Sequence, residues 1–208
     1  MQFDNHDARI KYYPLRFVRA TLDGIVQPPL PDGYSFCFYR DGDRDAWIDI
    51  EKSAKEFHTF EDGVSAWNRY YSAHEAELPE RMLFVRDESG KKIATATAFC
   101  DVFGEDTTGA GWLHWVAVQR EIQGRGLSKP LIARTLLRLK ELGYTHAIVP
   151  SQTTTWLACK IYMDFGFVPT EDSVRENRDG WRILKALTHH PALASFDAAD
   201  LSEFLIEK

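Results

Sequence analysis

Hydrophobic residues in the first half of the chain recur at spacings that predict both strands and helices. The segment "YSFCFYR" (34–40) places an aromatic residue at every second position, which is the period of a strand. The following "GDRDAWIDIEKSA" predicts a short helix opened by aspartates, and a second helix is predicted over 61–78. Apolar runs on both sides of the turn "ESGK" predict a β-hairpin.

The second half alternates more regularly between strands and helices. The apolar run "WLHWVAV" (112–118) predicts a buried strand. A helix is predicted from Ser128, as a possible N-cap, to Gly143, as its C-cap, because apolar residues between them recur at helical spacing. "THAIVP" predicts another strand and "TWLACKIYMDF" a helix that stops at Gly166.

The C-terminal segment is predicted to end the sheet. Two last strands are predicted at "FVPTEDSV" and "WRILKAL", and a short helix is predicted near "DLSEFLIEK". The order of all these elements implies a mixed α/β sheet with at least one parallel crossover. The proline-rich "QPPLPDG" separates an N-terminal arm, 1–33, from a domain over 34–187, and 188–208 forms a polar tail.

Composition and charge narrow the class of protein. With 208 residues, 44% of them hydrophobic and 27% charged, the chain can bury one full core. Its net charge is −6 and its basic residues are scattered, which argues against nucleic acid as a partner. No apolar stretch approaches the roughly 18 residues of a membrane span, and the N-terminus lacks the apolar region of a signal peptide. We therefore expect a cytoplasmic protein.

Three cysteines stand far apart in apolar runs, at positions 37, 100 and 159. An odd number at such spacing suggests neither a disulfide framework nor a zinc site. The pair His189 and His190 has no further ligand near it in sequence. No metal site is expected.

Two glycines one residue apart, in "IQGRGLSKPL" (122–131), directly precede the helix from Ser128. A helix N-terminus carries free N–H groups and the positive end of the helix dipole, so this loop predicts a phosphate site. A tight turn without a ligand is the alternative. A dinucleotide fingerprint would need a third glycine where Lys129 stands, and the Gly-Lys-Ser/Thr of a P-loop is absent.

The loop resembles the acetyl-CoA loop of the GCN5-related N-acetyltransferases. The pattern of that family, Gln or Arg, two residues, Gly, one residue, then Gly or Ala, lies over Gln123, Gly126 and Ser128, with Gly124 as the usual extra glycine. Ser128 departs from the pattern at its last position but is also small. Its backbone N–H is expected to serve in the same way.

A second motif supports the resemblance. The next helix of the family reads Asn, two residues, Ala, three residues, Tyr, three residues, Gly-Phe, and here Ala158, Tyr162, Gly166 and Phe167 stand at those spacings. Thr155 replaces the asparagine. The resemblance covers roughly 34–187 and is most specific over 112–167. Without the loop, Tyr162 would be interpreted as a core tyrosine.

The resemblance implies a mixed, mostly antiparallel sheet flanked by helices, whose central parallel strands, "WLHWVAV" and "THAIVP", splay apart around acetyl-CoA. It implies acetyl-CoA as co-substrate and no metal. The residues it places at the cofactor are Ala117, Val118, Gln123, Gly124, Arg125, Gly126, Leu127, Ser128, Lys129 and Thr155.

The activity implied is transfer of acetyl to a primary amine by direct attack in a ternary complex. Such a reaction needs a base for the amine proton and an acid for the thiolate. His114 is the candidate base because an imidazole ionises at about pH 6.5, and its place resembles that of a catalytic histidine in one branch of the family. Tyr162 is the candidate acid. A hydrogen-bonded strand histidine in a packed site is an equal alternative for His114.

Strand alternation places His114, Val116 and Val118 on one face, opposite Trp115 and Ala117, unless a bulge intervenes. The amine site is expected at the first two helices, their connection and the loop "FGEDTTGAG". Its candidate ligands for a cation are Glu56, His58, Glu105 and Asp106. The expected partners are a small-molecule or peptide amine and, if the chain self-associates, a second copy in a homodimer, with no nucleic acid and no membrane. The alternative function is a non-catalytic module that binds or senses acyl-CoA.

Overall fold

The computed structural model describes residues 6–101, 104 and 106–206. By their internal contacts these residues form two compact units. The central unit comprises 22–147, and the terminal unit joins the N-terminal residues up to Thr21 to those from Ile148 onward.

The elements alternate along the chain in much the order predicted from sequence. The strands in the described residues are β1 (Pro14–Arg19), β2 (Ser35–Phe38), β3 (Met82–Arg86), β4 (Lys92–Phe99), β5 (Gly111–Val118), β6 (Ala147–Gln152) and β7 (Val168–Pro169). The α-helices are α1 (Arg44–Ser53), α2 (Phe60–Tyr70), α3 (Leu78–Arg81), α4 (Ser128–Glu141), α5 (Trp156–Asp164), α6 (Glu171–Glu176) and α7 (Arg178–Thr188).

The central unit is built on four antiparallel strands in the order β2, β3, β4, β5. One face of the sheet, which includes Met82, Phe84 and Phe99, packs into a core cluster with the aromatic residues of α1 and α2. Because side chains alternate across a strand, the other face carries the intervening residues, and α4 packs there. The mixed, mostly antiparallel fold class predicted from sequence is confirmed, and the two strands named for the parallel pair are present as β5 and β6.

A β-bulge interrupts β5 in the middle. Thr95 pairs with Ala117 and Thr97 pairs with His114, so β5 holds one residue more than β4 between the same two pairs. The bulge forms at Trp115, whose backbone has a left-handed φ of 46°. The simple alternation expected from sequence is therefore wrong at this point, because the bulge lets His114 and Ala117 share a face.

The terminal unit contains its own short sheet, in the order β6, β1, β7. In its antiparallel half, Phe17 pairs with Pro169 and Val18 with Val168. Helix α7 approaches β1 closely at Gly180, where an added Cβ would lie 2.8 Å from Cβ of Tyr13. The predicted arm 1–33 thus contains a sheet strand, while the domain boundaries stay a prediction.

Two C-terminal predictions are wrong. The segment "WRILKAL" lies in α7, and after Pro169 "FVPTEDSV" continues into α6. The residues buried from α7 are Gly180, Trp181, Ile183 and Leu184, which repeat every three to four positions as on one face of a helix. Trp181 and Ile183 alone also satisfy strand alternation, which is why the short pattern was ambiguous.

Two helix boundaries also differ from prediction. The helix expected over 61–78 ends at Tyr70 and continues as a 3₁₀ segment, Ser72–Glu77, because Tyr71 leaves helical geometry with φ −122°. Ser128 is the first residue of α4 rather than its N-cap, and Leu127 in the N-cap position offers no side-chain acceptor. Among the helices in the described residues, none has the length and apolar character needed to cross a membrane.

Candidate active site

The glycine loop has the backbone geometry of an anion site. Gly124 and Gly126 both take φ of +81°, a left-handed conformation that side-chain-bearing residues rarely adopt. From Gly124 to Ser128, no backbone N–H donates to another backbone group of the described chain. The two glycines with positive φ therefore lie in a run of backbone N–H groups that have no backbone acceptor within the described residues, at the start of α4.

The electrostatics of the loop suit a phosphate. Helix α4 is 14 residues long and has no acidic residue in its first turn, so nothing there opposes the positive end of its dipole. Lys129 adds a positive charge in the same turn. The guanidinium of Arg125 donates to the hydroxyl of Tyr34 at 3.2 Å, so this side chain is held at the surface by another contact. The donors that fit a pyrophosphate are those of the main chain.

The end of β5 is tied to the loop. Ala117 and Val118 are buried and pair with β4. The side chain of Gln123 donates from Nε2 to the carbonyl oxygen of Val118 at 3.0 Å, which fixes the loop against the strand. This bond explains why a glutamine suits the first position of the motif.

His114 lies in a packed aromatic environment on β5. Its ring is 8% exposed and makes an edge contact with Tyr70 at 5.1 Å between centroids. The hydroxyl of Tyr71 donates to Oγ1 of Thr97 at 3.0 Å, and its oxygen lies 3.1 Å from Nδ1 of His114. Because the single hydroxyl proton goes to Thr97, the contact favours an N–H on Nδ1 that donates to Tyr71. Nε2 is then the nitrogen with a free lone pair.

Burial controls the charge of this network. It lowers the pKa of His114 to about 3, so the imidazole is neutral near pH 7. Burial likewise raises the pKa of Tyr71 well above its usual value, and the phenol stays protonated. A neutral imidazole with an oriented lone pair can accept a proton, but its low pKa makes it a weaker base than a histidine in water. The titration near pH 6.5 expected from sequence does not fit this environment.

Tyr162 is a buried residue of the terminal unit. It lies in α5, is 4% exposed, and its ring packs edge-on against Phe17 and Phe167 at 6.3 and 6.2 Å. Gly166 ends the helix with φ of +79°. The packing holds the phenol ring in one orientation, and the same contacts satisfy the core interpretation of Tyr162.

Thr155 stands at the N-cap of α5 in the same unit. Its hydroxyl donates to the carbonyl oxygen of Gln152 at 3.1 Å and lies 3.2 Å from Oγ of Ser151. Its side chain makes no capping bond to the helix. Thr155 thus shapes the turn between β6 and α5, where the family motif has asparagine.

The candidate cation ligands within the described residues differ in exposure and in contacts. Asp106 accepts bonds from the backbone N–H groups of Thr108 and Ala110, so it organises its own loop. His58 is exposed, Glu56 is half-buried, and Glu105 lies outside the described residues. Among described positions, no group of three or more histidine, cysteine or acidic residues is arranged to hold a metal.

The model of the acetyltransferase (GNAT) family matches residues 44–167, more than half of the chain. This chain belongs to the GNAT family. The match spans α1 to the Gly-Phe that ends the second motif, and thus contains both the glycine loop and the tyrosine helix. Use of acetyl-CoA is typical of GNAT enzymes.

Three proteins that resemble this GNAT chain are 13% to 26% identical to it. A mycothiol acetyltransferase from Propionibacterium freudenreichii subsp. shermanii is 26% identical over 138 residues, which cover 62% of this chain and 44% of that protein. A GCN5-related N-acetyltransferase from Sphaerobacter thermophilus superimposes with a TM-score of 0.59 at 22% identity, over 78% of this chain and 49% of that one. A GNAT acetyltransferase from Colwellia psychrerythraea gives 0.56 at 13% identity, over 77% and 55%. The chain spans about half the length of these proteins, and the two structures show that its fold is GNAT-like.

Two polar residues in the core of this GNAT chain were missed by sequence reasoning. Glu51 on α1 is fully buried, and Tyr71 connects α2 to His114. The signal for Glu51 was its position four residues after Trp47, on the apolar face of a helix that otherwise buries only hydrophobic residues. Tyr71 gave no signal, since an aromatic residue at the end of a helix usually indicates packing.

Proposed function

We propose that this protein is an acyl-CoA-dependent N-acyltransferase that moves acetyl from acetyl-CoA to a primary amine by direct attack in a ternary complex. Family membership supports acetyl transfer in general. The observation that carries the proposal is the loop of unfilled N–H groups between Gly124 and Ser128, which suits the pyrophosphate of CoA. A cytoplasmic location stays a prediction from sequence.

Different residues of the chain bind CoA and accept the proton of the amine. The backbone from Gln123 to Lys129 binds the pyrophosphate, Ala117 and Val118 orient the pantetheine arm by their backbone, and Thr155 contacts the arm. His114 takes the amine proton at Nε2, because Nδ1 is engaged with Tyr71. The proton on His114 then returns to solvent.

The departing sulfur requires a hydrogen-bond donor. Tyr162 is proposed to donate from its hydroxyl to the thiolate as the C–S bond breaks. A phenol with a pKa of about 10 is protonated at neutral pH, whereas a thiol ionises at about 8.5, so partial rather than full proton transfer is expected. The charge on the sulfur is thereby reduced while the amide product forms.

The alternative is a GNAT module that binds or senses acyl-CoA without catalysis. A screen of primary amines with acetyl-CoA, with free thiol measured over time, separates the two. The enzyme predicts thiol release that depends on one class of amine and yields one acetylated amine per thiol. Tight CoA binding by calorimetry, together with thiol release no faster than hydrolysis for every amine, would favour the binding module.

A further inference from the structure

Glu51 is a buried carboxyl without a partner. It lies in the last turn of α1 with 0% exposure, and both carboxyl oxygens are hidden from solvent. Neither oxygen has a hydrogen-bond partner among the residues that the structure describes. Burying such a group unpaired costs free energy, and proteins rarely retain one without a use.

The surroundings of Glu51 contain further unpartnered polar groups. Trp47, one turn earlier on the same helix face, and Trp115 at the bulge of β5 pack with 5.4 Å between ring centroids. The indole N–H of each is buried and has no acceptor in the described chain. A carboxyl and two N–H donors thus lie unsatisfied within one aromatic cluster.

The cluster extends from the core to the surface. Phe57 and Tyr70 contact the ring of Trp115 at 5.3 and 5.5 Å, and both are only partly buried. Tyr71 packs on Trp47 at 5.5 Å and leads to His114. An apolar wall therefore runs between the buried carboxyl, the surface and the candidate base. We call these residues, Trp47, Glu51, Phe57, Tyr70, Tyr71 and Trp115, the aromatic cluster.

We infer that the aromatic cluster binds the acceptor and that the Glu51 carboxyl recognises its amino group, so that the favoured acceptor is a primary amine on an apolar or aromatic carbon skeleton. This inference rests on the proposed function. A carboxyl is the one acidic group in the cluster, and aromatic faces attract both apolar groups and cations. The acceptor class follows from this combination of one carboxyl with aromatic walls.

The charges around Glu51 determine where the proton lies. Burial raises the pKa of Glu51 well above its usual value, and the carboxylate of Glu56 raises it further. Tyr71 and His114 face the cluster from the end of α2 and from β5, and burial keeps both neutral near pH 7. No cation of the described chain contributes to the pKa of Glu51. The carboxyl is therefore protonated before the amine binds.

Binding an ammonium then releases one proton to solvent. The protonated acid and the ammonium together bring two acidic protons, and the bound pair keeps one. In an apolar site the neutral pair, carboxylic acid and free amine, is favoured over the ion pair, because two buried charges are costly to desolvate. The free amine is the form that can attack a thioester.

The test compares benzylamine with its uncharged isostere benzyl alcohol. Each is titrated into the whole chain, with tryptophan fluorescence as the readout. At a pH where the free amine is present, the wild type should bind benzylamine more tightly than benzyl alcohol by up to about 10-fold, the range for a hydrogen bond between neutral groups. In Glu51→Gln this preference should fall to about onefold. A preference that survives in Glu51→Gln, or is absent from the wild type, overturns the inference.

Matched variants separate recognition from folding. Asp49→Asn makes the same carboxyl-to-amide change on the exposed face of α1 and should leave the preference unchanged. Phe57→Ala should weaken both probes alike by several-fold, since it shortens the apolar wall at a half-buried position. If Glu51→Gln does not fold, Phe57→Ala still tests the inference. A loss of affinity for benzylamine without any loss for benzyl alcohol would contradict the role of Phe57 as part of the apolar wall.

Turnover distinguishes failure of the inference from failure of the proposed function. Glu51-dependent preference for benzylamine without acetylation of any amine would reject the enzyme and keep the amine site. Equal acetylation of benzylamine by wild type and Glu51→Gln would keep the enzyme and reject Glu51 as the recognition group.

Discussion

The hydroxyl of Tyr71 lies 3.1 Å from Nδ1 of His114, and its proton points to Thr97. Tyr71 thereby selects which imidazole nitrogen carries the hydrogen. A single buried phenol at the end of α2 thus sets the tautomer of the candidate base on β5.

Thr97→Val should reverse that tautomer. The hydroxyl of Tyr71 would lose its acceptor and donate to Nδ1 of His114 instead, which moves the imidazole proton to Nε2. The ¹⁵N chemical shifts of the His114 ring should show the exchange, and turnover should fall about tenfold or more with little change in CoA affinity. Unchanged shifts in a folded variant would show that Thr97 does not control the tautomer.

His114 should make stability fall in acid. Its pKa is about 3 in the folded protein and about 6.5 when unfolded, so the unfolded chain binds one more proton between these values. The stabilising contribution of His114 to the free energy of unfolding is fully present above about pH 6.5. It is lost as the pH falls toward 3, at up to about 1.4 kcal/mol per pH unit. Urea unfolding at several pH values should show this slope in the wild type.

The control for this slope is His114→Gln, which has no imidazole to titrate. The difference in free energy of unfolding between wild type and variant should drift in favour of the variant below pH 6.5 and stay constant above it. Parallel curves over the whole range would mean that folding does not lower the pKa of His114.

Gly126→Glu should abolish most CoA binding. The position has φ of +81°, which strains any L side chain, and the carboxylate adds repulsion toward a pyrophosphate. Gly126→Ala has room for its Cβ, 3.8 Å from Pro31, so its loss should be smaller and arise from strain alone. Calorimetric titration with CoA provides the measurement.

Gly143→Ala is the matched control for strain. Gly143 has φ of +93° just beyond the C-terminal end of α4, with open space around its Cβ position. Gly143→Ala should lower the melting temperature by about as much as Gly126→Ala does, and it should leave CoA affinity unchanged. Equal CoA affinity in Gly126→Glu and wild type would remove the loop from the site.

Tyr162→Phe should slow the chemical step by about 10²-fold, the lower end for general acid catalysis, because full proton transfer from a phenol to a thiolate is uphill. The variant keeps the ring and its packing on Phe17 and Phe167, so CoA affinity and melting temperature should change little. Single-turnover kinetics measure the step directly. A rate within about twofold of wild type would return Tyr162 to a core role.

Local patterns of residues were sufficient to predict the order of most elements and both motifs. The apolar run of β5, the glycines before α4 and the spacing from Ala158 to Phe167 depend only on local periodicity and on residues with special backbone freedom. Such signals come from residues that are close together in the chain, so they can be identified from the sequence alone. This also explains why family membership was predictable before any contact was known.

The chemistry around β5 depends on contacts between distant parts of the chain. Residues that are far apart in the chain form the bulge at Trp115 and the hydrogen bond from Tyr71 to Thr97. Distant residues also bury Glu51. A short pattern such as "WRILKAL" also satisfies both strand and helix periods, and its packing in α7 selects the helix. The pKa of His114 likewise depends on desolvation by neighbouring elements, which no local pattern of residues encodes.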